Sequence, residues 1–311
     1  MISNRLEYRL ILMGLLLGPL QATAVEKNGF LLDDALIEPA DIYEGGPPRD
    51  GIPALDDPVF VDAEDGGFIR GHDRVLGLNL NGIAKAYPIR ILNYHEVVND
   101  SFDGTPVTVT YCPLCGSGMA FSSVAAGSFK SFGVSGLLYN SDVLLYDRET
   151  ESLWSQIMGK AVSGPLKGEE LTPIALTHTT WKDWQTTHPG TLVLSTKTGH
   201  MRNYDRDPYE GYAETSGVMF PLRHTDSRYG AKELVVGVEI DGQFKAYPFR
   251  SLPRQQDSLN DKFAGEEISL VYDRQNKSAK VLDSRGKEIP TVILYWFAWA
   301  AFHPETQVYE K

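Results

Sequence analysis

Residues 75–90 read VLGLNLNGIAKAYPIR, and residues 235–250 read VVGVEIDGQFKAYPFR. In both stretches small or polar residues alternate with apolar ones up to an Asn-Gly or Asp-Gly pair, after which a second apolar stretch ends in Lys-Ala-Tyr-Pro. This is the pattern of a β-hairpin with a tight turn. The pattern predicts two strands in each stretch, followed by a helix that begins at the Pro.

The likeness between the two stretches extends further along the chain. It continues in Asn99-Asp100 and Asn260-Asp261, in Val109-Thr110-Tyr111 and Leu270-Val271-Tyr272, and in the Trp-x-x-Trp-x-x-x-His-Pro motifs that start at Trp181 and Trp296. A repeated pattern of this length is typical of a duplicated structural unit. The sequence therefore predicts an internal duplication with a long first copy and an abbreviated second copy.

The remaining apolar residues occur mostly in short runs or at alternating positions, with turn residues between them. Such runs favour strands over helices. Helical periodicity is confined to the neighbourhoods of Pro88–Val98, Thr180–His188 and Trp296–His303. We therefore expect a β-rich α+β protein with a few short helices.

The first 24 residues have the layout of a secretory signal peptide. Arg5 and Arg9 precede an apolar run from Leu10 to Leu20, and Ala22-Thr23-Ala24 follows with small residues where cleavage would occur. The run is too short for a spanning helix, which needs about 20 residues. We expect cleavage after Ala24, a periplasmic or secreted protein, and no membrane span in the mature chain.

The rest of the chain divides into three parts by composition and repetition. Residues 25–70 hold many Gly, Pro and Asp and are predicted to form an irregular N-terminal arm. Residues 71–229 are the first repeat, and residues 230–311 are the second, abbreviated repeat.

The composition excludes some classes of function. The formal net charge of −12 argues against a nucleic-acid partner and against an anionic membrane surface. Two cysteines are too few for a disulfide-stapled exported scaffold. A hydrophobic content of 42% is sufficient for a packed core.

The two cysteines stand together in the motif CPLCG, residues 112–116, directly after a predicted strand. Gly116 and Gly118 disfavour a helix start, as a thioredoxin-type site would need, whereas a Gly after the second Cys is typical of a metal knuckle. The second copy has Asp273 where the first has Cys112. Residues unique to the first copy are therefore candidates for function, with Cys112 and Cys115 as catalytic residues or metal ligands. His188 and His303 occur in both copies and are predicted to be structural.

A closed metal site would need ligands besides the two thiolates. His95, which has no counterpart in the second copy, is the first candidate, and Met119, His178 and His200 are weaker ones. Thiolate and imidazole ligands suit copper or zinc. The leading hypothesis is therefore a copper or zinc ion in a binding or oxidoreductase role.

Two further segments contain candidate substrate-binding residues. Asn140 and Asp142 lie between apolar runs, where unpaired polar groups are costly unless they line a cleft or cap a bend. Arg202 and Tyr204 belong to a polar, aromatic stretch that suits an anionic small molecule.

Two other classes of function stay open at this point. The CxxC pair could be a thiol–disulfide oxidoreductase site acting on a redox partner protein. Alternatively, the cysteines are inert and the protein is a non-enzymatic structural module outside the cell.

Long motifs in the chain resemble those of domain of unknown function family 3179. They are YCPLCGSG at residues 111–118, FGVSGLLYNSD at 132–142, LYDRETESLWSQ at 145–156 and RNYDRDPY at 202–209. The resemblance covers roughly residues 50–310 and implies an exported prokaryotic protein. It implies no particular reaction.

Overall fold

The computed structural model describes residues 25–310, so the predicted signal peptide lies outside the described residues. Strands make up 42% of the structure and helices 8%, which confirms a β-rich chain with few short helices. The five larger sheets are arranged as a five-bladed β-propeller, which the sequence reasoning did not predict. The helices are too short to form a layer of their own, so the α+β description fits only in that a few helices are present.

The predicted arm, residues 25–70, is irregular over most of its length and contains four short strands, of which the first two pair with each other and the last two join sheets of the body. They are β1 (Glu26–Lys27), β2 (Phe30–Leu31), β3 (Ile42–Glu44) and β4 (Phe60–Asp62). β3 pairs with a strand beginning at Phe132, and β4 pairs with one beginning at Leu192. The arm therefore supplies outer strands to two blades.

The predicted first repeat contains most of the strands. In chain order they are β5 (Arg74–Leu80), β6 (Ile83–Pro88), β7 (Val97–Phe102), β8 (Thr105–Cys112), β9 (Ser117–Ser122), β10 (Val124–Ala125), β11 (Ser128–Phe129), β12 (Phe132–Tyr139), β13 (Asp142–Asp147), β14 (Leu153–Ser155), β15 (Lys160–Ser163), β16 (Pro173–Ile174), β17 (Thr177–Thr180) and β18 (Leu192–Leu194). Two helices interrupt them, α1 (Ile89–Leu92) and α2 (Trp181–Thr187).

The predicted second repeat is simpler. Its strands are β19 (Leu234–Ile240), β20 (Gln243–Pro248), β21 (Ser258–Phe263), β22 (Glu266–Asp273), β23 (Ser278–Asp283), β24 (Glu288–Ile289), β25 (Thr291–Tyr295) and β26 (Gln307–Val308), and its helix is α3 (Trp296–Phe302). The helix expected after Pro248 does not form; turns occupy that stretch instead.

The five blades have simple strand orders, which are β15-β14-β13-β12-β3, β16-β9-β8-β7, β17-β5-β6-β18-β4, β25-β19-β20-β26 and β21-β22-β23-β24. Residues 75–90 and 235–250 form the hairpins β5–β6 and β19–β20. The strands of both hairpins have the same register, since Gly77 pairs with Ala86 in the first and Gly237 pairs with Ala246 in the second. Each first strand pairs antiparallel with the strand before a Trp-rich helix, and each second strand pairs parallel with the strand after it. The duplication itself, as a statement about origin, stays a prediction.

The two predicted repeats also contact each other in a similar way, through a hydrogen bond from the N-cap residue of a helix in one repeat to a hairpin turn in the other. The backbone N–H of Tyr295, the residue that caps α3, donates to the carbonyl of Cys115 at 2.9 Å. In the opposite direction, Thr180, which caps α2, donates its hydroxyl to the side chain of Asn276 at 2.9 Å. The β8–β9 turn and the β22–β23 turn therefore occupy corresponding positions, and only the first contains thiols.

The largest hydrophobic cluster lies around the CPLCG turn. It brings Cys112 and Cys115 together with Trp154, Trp296 and Trp299, all at most 2% exposed. Within the described chain, no helix is long and apolar enough to cross a membrane.

Candidate metal centre

Two buried β-turns build the candidate site. The first joins β8 to β9, with Cys112 paired to Ser117 and the turn made by the residues between them. The second joins β12 to β13, with Tyr139 paired to Asp142 across a turn of Asn140 and Ser141. The turns face each other because the Ser141 carbonyl accepts from both thiols, at 3.7 Å from Cys112 Sγ and 3.4 Å from Cys115 Sγ.

Gly116 gives the first turn its shape. Its φ is +63°, and a Cβ there would lie 3.1 Å from the Tyr295 ring. A knuckle of this kind, rather than a helix N-terminus, carries the two thiols.

The second turn has two consecutive residues with positive φ, Asn140 at 51° and Ser141 at 65°. This is the backbone of a type I′ hairpin turn, which Asn tolerates and Ser adopts less readily. Side-chain contacts secure it: Asn140 Oδ1 accepts from the Arg223 amide at 2.8 Å, and the Ser141 hydroxyl donates to the Phe220 carbonyl at 2.9 Å. The long irregular segment between β18 and β19 therefore holds the turn that positions Asp142.

Cys112, Cys115 and Asp142 form one compact group. One ligand atom from each lies within 4.8 Å of the other two, and none of the three residues is more than 1% exposed. The cysteines are free thiols. Asp142 Oδ2 accepts from the Ile157 amide at 3.1 Å, whereas Asp142 Oδ1 has no hydrogen-bond partner. Two sulfurs and an unpaired buried carboxylate oxygen are a donor set that fits a metal ion.

Burial determines the protonation of this group. It raises the pKa of Asp142 to about 7 and raises the pKa of both thiols, that of Cys115 most strongly. Neighbouring Glu96, which is 6% exposed, has its pKa raised to about 8 by burial and by Asp142. All four groups favour their neutral forms when no cation is near, and a bound cation would reverse this preference.

Aromatic rings cover the group from the loop side. Tyr212 lies in the same cluster as the thiols, and its hydroxyl is the other buried side-chain atom in the described chain without a hydrogen-bond partner. Lys232 Nζ lies 3.5 Å from the centre of the Tyr212 ring and donates to the Tyr212 carbonyl at 2.8 Å. The cover leaves the thiols almost without solvent contact.

His95 does not belong to this group, which corrects the predicted ligand set. Its Nδ1 bonds to the Pro53 carbonyl at 2.8 Å, and its Nε2 bonds to the Tyr204 hydroxyl at 2.6 Å. With both ring nitrogens engaged, the imidazole has no lone pair to offer the thiol site. Burial lowers the pKa of His95 to about 4, so it is neutral in this hydrogen-bond chain.

The predicted substrate-binding residues fall into two places. Asn140 and Asp142 lie at the thiols, where Asn140 shapes the turn and Asp142 completes the donor set. Tyr204 lies with His95 and also bonds Thr198 at 2.6 Å, while Arg202 is exposed nearby. A substrate-binding role for Arg202 and Tyr204 stays a prediction.

Sequence reasoning missed Glu96 and Tyr212. Glu96 follows His95 within a segment already recognised as unique to the first copy, so that segment carried a signal. Tyr212 stands in an irregular loop without a pattern that marks it. Among the weaker ligand candidates, His178 is buried and donates its Nε2–H to the Gly118 carbonyl at 3.1 Å, and burial lowers its pKa to about 3.

Fold and site together define a β-propeller protein with a buried dithiol–carboxyl group. The chain belongs to the family described as a protein of unknown function, DUF3179, whose sequence model matches residues 49–288. No curated protein and no solved structure matches the chain. The family match confirms the resemblance found in the motifs.

Proposed function

We propose that this protein binds a metal ion, zinc in the first place, through Cys112, Cys115 and Asp142. The observation that carries the proposal is Asp142, which offers a carboxylate oxygen within 4.8 Å of two free thiols and whose buried Oδ1 has no hydrogen-bond partner. A buried carboxylate oxygen without a partner is costly, and a cation would satisfy it.

The donor set and its charge favour zinc over copper(I). Two thiolates and one carboxylate carry three negative charges, so a divalent ion leaves one uncompensated charge and a monovalent ion leaves two. Because the site is almost fully buried, each uncompensated charge is expensive. The carboxylate oxygen is also a harder ligand than copper(I) prefers. Copper(I) is therefore the second candidate.

The same features argue against thiol–disulfide exchange with a partner protein. Exchange requires an accessible thiolate with a lowered pKa. Here burial raises the pKa of both thiols, and neither cysteine is more than 1% exposed. A purely structural role for the thiols also lacks support, because the β22–β23 turn occupies the corresponding position with Asp273 accepting from Gln275 and Asn276.

A binding role follows more directly from this site than an oxidoreductase role does. Three protein ligands leave a position open, as in catalytic zinc sites, but the aromatic cover and the burial of the thiols restrict access to it. A periplasmic or secreted location is part of the proposal and depends on residues 1–24.

Metal analysis of the purified protein tests the proposal. The full chain, expressed with its first 24 residues in place and kept reduced, should contain about one zinc per chain. After replacement by Co(II), it should show thiolate-to-cobalt absorption. The double variant Cys112→Ser, Cys115→Ser should lose both signals, and Asp142→Asn should bind more weakly.

Asp147→Asn is the matched control. Asp147 is a buried acid at the other end of β13, where it accepts from Trp154 Nε1 at 2.8 Å and from the Thr150 amide at 2.7 Å. This variant should lose stability but keep the metal. Wild-type protein that binds neither zinc nor Co(II) under reducing conditions would refute the proposal. If the purified protein contained copper and no zinc, copper(I) would be the bound metal instead of zinc.

A further inference from the structure

A separate cleft lies between the sheets, and none of its lining residues belongs to the thiol group. It has a volume of about 480 Å³ and is lined by residues from β9, from the segment Ile157–Lys160 and from β19, β20, β25 and α3. Pockets for small organic ligands are about 300–1,000 Å³ in volume. The cleft is therefore large enough for one such molecule.

The walls of the cleft combine polar groups with apolar side chains, some of them aromatic. Phe121, Ile157, Phe244 and Trp299 contribute to them, and Met158 at the cleft is 39% exposed although it is apolar. Exposed apolar side chains beside a concave surface are typical of ligand sites. The floor is rigid, because Trp299 packs so closely on Gly237 that a Cβ there would lie 2.2 Å from the indole.

The charged groups of the cleft do not balance. Lys160 pairs with Glu170 at 2.8 Å, which leaves the carboxylates of Glu239 and Asp241. Neither forms an ion pair or a side-chain hydrogen bond with another residue of the described chain. Burial and the negative charge of Glu170 raise the pKa of Glu239, and the positive charge of Lys160 offsets only part of this rise. The cleft therefore carries two carboxylates without an ion-pair partner, Glu239 and Asp241, both of which are exposed to solvent.

The fold does not need these acids. The hairpin β5–β6 pairs Asn79 with Ala84, and the matching hairpin β19–β20 pairs Glu239 with Phe244. Asp241 likewise stands where the first hairpin has Asn81, and both residues adopt a positive φ in the turn. Neutral Asn therefore serves the same backbone positions in one half of the molecule, so the acids and the Phe of the other half are available for another purpose.

We propose that this cleft binds a small organic cation, an amine with an aromatic or aliphatic body. The body would lie against Phe244, Phe121 and Ile157, and the ammonium group would face Glu239 and Asp241. Cations also interact favourably with aromatic faces, so the ring of Phe244 adds to the attraction. The acids that carry the proposal, Glu239 and Asp241, are not part of the thiol group, although Ile157 of the cleft wall donates its amide to Asp142 Oδ2 at 3.1 Å.

Three compounds of the same shape test it by calorimetric titration of the intact protein. Tryptamine is the cationic probe, tryptophol is its neutral counterpart and indole-3-acetate is its anionic counterpart. Tryptamine should bind about fivefold more tightly than tryptophol, as expected for partly exposed charge pairs, and added salt should weaken its binding. Indole-3-acetate should bind least.

The variant Glu239→Asn, Asp241→Asn copies the residues of the first hairpin and should fold normally. It should bind tryptamine and tryptophol equally. The control Glu266→Gln, Glu267→Gln removes the same charge from β22, whose side chains do not line the cleft, and should bind as the wild type does. Equal affinity for all three compounds, tight binding of the acid, no binding of tryptamine, or an unchanged preference in the Asn variant would each overturn the proposal.

Discussion

Asp142 makes opposite contributions to stability in the metal-free and the metal-loaded protein. In the metal-free protein its pKa is about 7, against an ordinary value of 3.8. At 1.36 kcal/mol per unit, the difference amounts to on the order of 4 kcal/mol. Because the folded carboxyl keeps a proton that the unfolded chain releases, this stability is present below pH 3.8 and is lost as the pH rises through about 7.

The variant Asp142→Asn removes this dependence on pH. From the two pKa values, about 2.5 kcal/mol of the loss falls between pH 5 and pH 8, so the stability of metal-free Asp142→Asn relative to the wild type should rise by that amount across this interval. The amide brings buried N–H groups that cost about 1–3 kcal/mol at every pH if they lack partners. The sign of the change with pH is therefore a firmer expectation than the absolute difference.

Urea unfolding in the presence of a chelator and a reductant, at pH 5 and pH 8, measures both quantities. The same titrations with zinc present should stabilise the wild type more than the variant at pH 8. A zinc concentration 100 times the dissociation constant stabilises the wild type by about 2.7 kcal/mol, and the variant with one ligand fewer gains less. A difference between variant and wild type that is the same at both pH values would refute the reasoning, since it would mean that Asp142 does not titrate in a desolvated site.

Three further substitutions probe the elements around the site. His178→Gln should make the stability of the protein less sensitive to acid. Burial holds the pKa of His178 at about 3, so this residue lowers the free energy of unfolding of the wild type by about 2 kcal/mol as the pH falls from 8 to 5. Urea titrations of wild type and variant at both pH values measure the difference. Gly116→Ala should cost about 1–2 kcal/mol for its positive φ and also weaken zinc binding, whereas Gly82→Ala, with a φ of +77° and open space around it, should cost stability without affecting zinc. Gly237→Ala should lower the free energy of unfolding by about 3 kcal/mol or more, because its Cβ would overlap Trp299, and the midpoint of urea unfolding should fall with it. An unchanged midpoint would contradict the observed packing.

Much of the local structure could be predicted from the sequence. The hairpins of residues 75–90 and 235–250 pair as expected, because an Asn-Gly or Asp-Gly turn fixes the register of the strands on either side. The β8–β9 turn also has the predicted shape, since Gly116 can adopt a positive φ without strain. The helix expected after Pro248 was the local error: a Pro permits a helix start, but the residues after it must continue the helix.

The structure brings the two predicted thiols together with Asp142 and not with His95, and the role of the thiols stays a prediction. His95 is a candidate in the sequence because it has no counterpart in the second copy, but the fold places its ring between Pro53 and Tyr204. Asp142 was recognised as a binding residue without being connected to the thiols. The connection depends on two turns from different blades meeting, and sequence spacing contains no information about that.

The hairpins, the knuckle around Cys112 and Cys115 and the family could be predicted from the sequence, because each depends on residues adjacent along the chain. The arrangement of five sheets as a propeller and the position of Asp142 beside the thiols emerge only in the folded chain. Blade packing buries both turns in one apolar cluster, where burial raises the pKa of Asp142 and of both thiols and where Asp142 Oδ1 is left without a hydrogen-bond partner.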